Sequence, residues 1–165
     1  LVNAGARTAI ATFLPVLSGQ AAIFATRLLF RIYEFLPTVT TILRHAIRWD
    51  SVVSLMQRMM FVSECLRLLE SHCKTERKLT LQTEMTGVIH QAGYEWYEQF
   101  VEQLSAEFGL SVDEIESIRN QHLSIPESAK YVQIGNPETI VIHPADASLE
   151  DYLDNASALA NDYDR

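Results

Sequence analysis

Between Asp50 and Cys73 the apolar residues Val52, Leu55, Met59, Val62, Leu66, Leu69 and Cys73 recur at alternating steps of three and four. That spacing draws a seam along one side of a helix. Val53, Met56 and Met60 widen the seam, while Phe61, Cys65 and Leu68 lie on nearly the opposite face. Only Gln57 with Glu64, and Arg58, form narrow polar strips, which this pattern assigns to water. A helix apolar nearly all round is a buried one. The pattern therefore predicts a central helix in a mainly all-α fold, a bundle of five or six helices.

Upstream, Thr8 to Thr26 carries no charge and is bracketed by Arg7 and Arg27. As one helix it would approach the thickness of a bilayer core. Pro15 and Ser18-Gly19 interrupt it, which predicts instead a first helix near residues 3–17 and a second over about 20–35. Membrane insertion through residues 8–26 stands as the alternative. In the second helix Arg27, Arg31 and Glu34 make a polar strip among Ala21, Ile23, Phe24, Leu28, Leu29, Ile32 and Phe35. Phe13, Phe24 and Leu28 are the candidate interface positions here. Pro37 is placed to open a further helix, Val39 to Trp49.

Downstream of the charged turn Lys74–Lys78, a long helix is predicted from Thr75 or Leu79 to Phe108. Leu81, Met85, Val88, Ile89, Ala92, Trp96 and Phe100 form its apolar stripe, and Glu84, Gln91, Glu95, Glu98 and Glu102 its solvent face. Gly109 closes it. Ser111 followed three positions later by Glu114 is a capping box, opening a short helix whose Val112, Ile115 and Ile118 are expected to face inward.

The texture changes at Ser124, and the chain is read as a helical region, 1–123, followed by residues 124–165. Tyr131–Ile134, the turn Gly135-Asn136-Pro137-Glu138 and Thr139–Ile142 predict a small β-hairpin. Two strands alone are marginal, so the hairpin needs the helical body or another chain beside it. Ser148 with Asp151 caps a terminal helix or arm. Its Leu149, Tyr152, Leu153, Ala156, Leu159 and Tyr163 share one face, and acids cover the other. Tyr152, Leu153 and Leu159 are its candidate interface residues.

The formal net charge of −8 is unevenly spread. Residues 1–60 hold six arginines against Glu34 and Asp50, whereas residues 61–165 hold seven Lys/Arg against nineteen acids. So acidic a C-terminal part repels phosphate backbones and argues against nucleic acid there. Cys65 and Cys73 lie eight apart on one predicted helix, too far for a mutual disulfide. That favours a reducing intracellular compartment, membrane-associated in the variant inserted through 8–26.

Catalytic and metal signatures are sparse. His72-Cys73 is the only close His/Cys pair, and neighbours on a helix point about 100° apart. Paired Glu-x-x-His, a P-loop, a dinucleotide fingerprint and a G-x-S-x-G elbow are all missing. No cofactor is implied. The one candidate ligand site is the strip His90, Tyr94 and Tyr97, with His45 as a second histidine; a pocket there would make the chain a small-molecule binding protein or enzyme. The reading most consistent with so much apolar helix surface is a non-enzymatic interaction or assembly protein, such as a self-assembling structural or coat-type subunit or part of a larger complex. Its apolar helical surface and acidic C-terminal arm would engage other subunits.

Overall fold

The computed structural model describes residues 8–35, 46–74, 88–89, 95–123 and 125–142. Described residues are mostly helical. In chain order they form β1 (Thr8–Thr12), α1 (Ser18–Phe30) with a π-helical turn Arg31–Phe35, β2 (Ile47–Arg48), α2 (Trp49–Cys73), α3 (Glu95–Phe108), α4 (Val112–His122), a 3-10 turn Glu127–Lys130, β3 (Tyr131–Gly135), a 3-10 turn Pro137–Thr139 and β4 (Val141–Ile142). The chain divides into two compact units, one of Leu1–Met56 with Val132–Arg165 and one of Gln57–Tyr131.

In the first unit, the break read in the uncharged N-terminal run is present, but its first half is a strand and not a helix. Thr8, Ile10 and Thr12 put β-branched side chains at every second position, which favours a pleated strand over a helix. The strand pairs with β3, and Thr8 Oγ1 donates to the Ile134 carbonyl at 3.2 Å. No helix among the described residues is long and apolar enough to cross a membrane.

A strand, a 3-10 turn and a second strand stand over 131–142, where the small antiparallel hairpin was expected. Their ladder partners are distant in sequence. β3 lies beside β1, and β4 pairs antiparallel with β2 in the register Ile47↔Ile142 and Arg48↔Val141. The helix expected from Val39 to Trp49 is therefore corrected at its end: Ile47–Arg48 is extended, and the Trp49 N–H continues the ladder to the Ile140 carbonyl at 2.9 Å. Residues 36–45 lie outside the described residues. Asp50 then marks the turn into α2; its carboxylate accepts the Arg48 guanidinium and the Ser51 N–H.

The α2 helix runs the length predicted and ends where Lys74 takes a left-handed φ of 51°. Its buried residues change side along the axis. Val52, Val53, Met56 and Met60 are buried in the first half, and Val62, Cys65, Leu66 and Leu69 in the second. At 3.6 residues per turn the two arcs are centred about 145° apart, so no single amphipathic face exists.

In the second unit the polar strips of α2 are not left to water. Gln57 Nε2 donates to the carbonyls of Tyr131 (2.8 Å) and Ser128 (3.2 Å), and Glu64 Oε1 accepts the Ser128 N–H at 3.1 Å. Two side chains seven apart, hence on one face, thus clasp the 3-10 turn, and Ser128 is buried between them. Arg58 donates to the Ile89 carbonyl at 3.1 Å and lies 5.0 Å over the Trp96 ring.

Of the expected apolar stripe α3 buries Phe100 and leaves Trp96 half-buried; Val101 and Leu104, outside that stripe, are buried too, and Glu95, Glu98 and Glu102 face solvent as expected. Gly109, at φ 66°, returns its N–H to the Ser105 carbonyl and ends the helix. The capping box forms in both directions: Ser111 Oγ accepts the Glu114 N–H, and Glu114 Oε2 accepts the Ser111 N–H at 2.8 Å. Ile115 and Ile118 point inward, but Val112 is exposed, because it sits in the first turn, ahead of the buried arc. Of the long helix expected from Thr75 or Leu79 to Phe108, α3 stands at the C-terminal end, and Val88 and Ile89 are helical and buried. The remainder, like the terminal helix or arm expected after Ser148, lies outside the described residues.

The clasp carries a pH dependence. Burial, the largest influence, pushes the Glu64 carboxyl above its ordinary range, and the nearby Glu127 carboxylate pushes the same way against the opposing Ser128 N–H and Lys130 ammonium. A carboxyl raised in the folded state holds its proton more tightly there than in the unfolded chain. Its contribution is therefore favourable below the unfolded value and is lost as pH rises through the folded one. Glu64→Gln keeps the oxygen that accepts from Ser128 and removes the buried charge. Urea melts at pH 5 and pH 8 should show the wild type losing stability relative to this variant at the higher pH; an unchanged difference would remove the burial argument.

Candidate interaction surface

α1 begins after Pro15 and Leu17, where the chain is extended, and closes its first turn with the Ala21 N–H on the Leu17 carbonyl at 2.9 Å. Its inward residue is Phe24, 4% exposed, with Gln20, Ala21, Leu28 and Arg31 half-buried around it. The opposite side is unusual. Ala22, Ile23, Thr26, Leu29, Phe30 and Tyr33 all face solvent, and none carries a charge. Leu29, Phe30 and Tyr33 are 52%, 62% and 73% exposed.

Ile23, Thr26, Phe30 and Tyr33 follow steps of three, four and three, and Ala22, Thr26, Leu29 and Tyr33 steps of four, three and four. This is the spacing with which one helix packs against another. Single exposed apolar residues are ordinary, whereas a contiguous apolar face marks an interaction site. Phe13 and Leu17, which precede the helix, are exposed too. Arg27 is exposed at its edge, and Arg31, half-buried, has its pKa lowered by desolvation.

Of the interface positions read from sequence, Phe13 is exposed, Leu28 half-buried and Phe24 buried. Tyr152, Leu153 and Leu159 lie outside the described residues. Sequence reasoning passed over Leu29, Phe30 and Tyr33. The signal was present: apolar residues occur on both sides of the Arg27–Arg31 strip, so one of the two sides had to be outward.

The other candidate site is mostly beyond view, since His45, His90 and Tyr94 lie outside the described residues. Tyr97 belongs to an aromatic cluster in the second unit. Phe61 meets Trp96 (6.2 Å, 88°), Phe100 (6.0 Å, 61°) and Tyr97 (6.2 Å, 48°). The Tyr97 hydroxyl is engaged by α4: it lies 3.4 Å from Glu116 Oε1 and accepts from Arg119, whose guanidinium also covers the ring at 5.5 Å.

Beneath the cluster is an apolar gap of about 10 Å³ between Phe61, Cys65, Phe100, Leu104 and Ile115. That is about the space of one water and far below a ligand pocket. Burial pushes the Cys65 thiol up to about 12, so it stays protonated at neutral pH and is a poor nucleophile. Neither cysteine is in a disulfide, and no group of three or more potential ligands among the described residues could hold a metal ion.

Comparison with protein-family models, with curated proteins and with solved structures finds no match. The functional reading rests on the geometry of α1.

Proposed function

We propose that this chain is an interaction or assembly protein, and that the outward face of α1 is its docking surface. The observation that carries the proposal is the uncharged row Ala22, Ile23, Thr26, Leu29, Phe30 and Tyr33, exposed along a helix whose other side already buries Phe24. Water is a poor solvent for such a row. Burying a Leu or Phe side chain that was exposed contributes about 1.5–3 kcal/mol, so covering this face favours association. A single chain leaves that contribution unused.

Replacing Leu29 and Tyr33 together by Glu puts two charges into the proposed contact at positions that are themselves exposed. Light scattering behind size-exclusion, run over a hundredfold range of concentration, should show association for the wild type and a monomer for L29E/Y33E, with equal helix content by circular dichroism. A wild type that is monomeric throughout, or a variant that associates as tightly as the wild type, contradicts the proposal.

A further inference from the structure

We draw no further inference here: the strongest candidate, the uncharged outward face of α1 over Ala22, Ile23, Thr26, Leu29, Phe30 and Tyr33, belongs to the docking surface already described, and nothing in the structure shows what covers it.

Discussion

Phe100→Ala is expected to lower the unfolding free energy by about 3–5 kcal/mol, read from urea denaturation followed by tryptophan fluorescence. Phe100 is 1% exposed and sits where three rings converge, 6.0 Å from Phe61 and 6.2 Å from Trp96. Truncation removes its buried surface and leaves a void beside a gap already present under the cluster. Aromatic pairing adds to the loss, at about 0.5–1.5 kcal/mol for each such pair. Phe100→Leu, which refills much of the volume, should cost less than half as much. Equal losses for the two variants would show that packing around Phe100 does not hold the second unit together.

The second large effect is expected at Gln57. Its amide donates to two carbonyls, those of Ser128 and Tyr131, and both residues are buried. Gln57→Leu takes away both donors while offering an apolar side chain of similar size. An acceptor that loses its donor in a buried setting costs about 1–3 kcal/mol, so a total of roughly 2–3 kcal/mol is expected. Native-state hydrogen exchange should localise the loss, with faster exchange in Glu127–Tyr131 and unchanged protection in α3. Uniform loss across the second unit would mean that the clasp is not a local tether.

The contrast between these sites shows what the pattern of residues can reveal. α2 was legible from its apolar recurrence, and the Ser111–Glu114 box from two residues, because both are local periodic signals. The inward use of Gln57, Arg58 and Glu64 was not legible. A polar side chain reads as solvent-facing until its partner is known, and here the partners are backbone groups 31 to 74 residues away in sequence. The ladders of β3 and β4 were hidden for the same reason. Turn chemistry over Gly135–Glu138 places two strands without saying what each will pair with.

At the N-terminus, Thr8–Thr12 carries both a helix-compatible absence of charge and a strand-compatible alternation of β-branched residues, and the ladder with β3 decides between them. For the candidate interaction surface, the uncharged run was evident, but its outward side was not. Phe24 and Leu28 stand out by hydrophobicity alone, and only the fold shows that they belong to the covered side, with Leu29, Phe30 and Tyr33 opposite.

Thiol labelling at the middle of that row is the most direct test of α1 as an interface. A Thr26→Cys variant should react with maleimide rapidly when dilute and more than about tenfold more slowly when concentrated, with the labelled peptide identified by mass spectrometry so that Cys65 and Cys73 do not enter the rate. A rate at this position that stays at the free-thiol value across the whole concentration range would contradict the account.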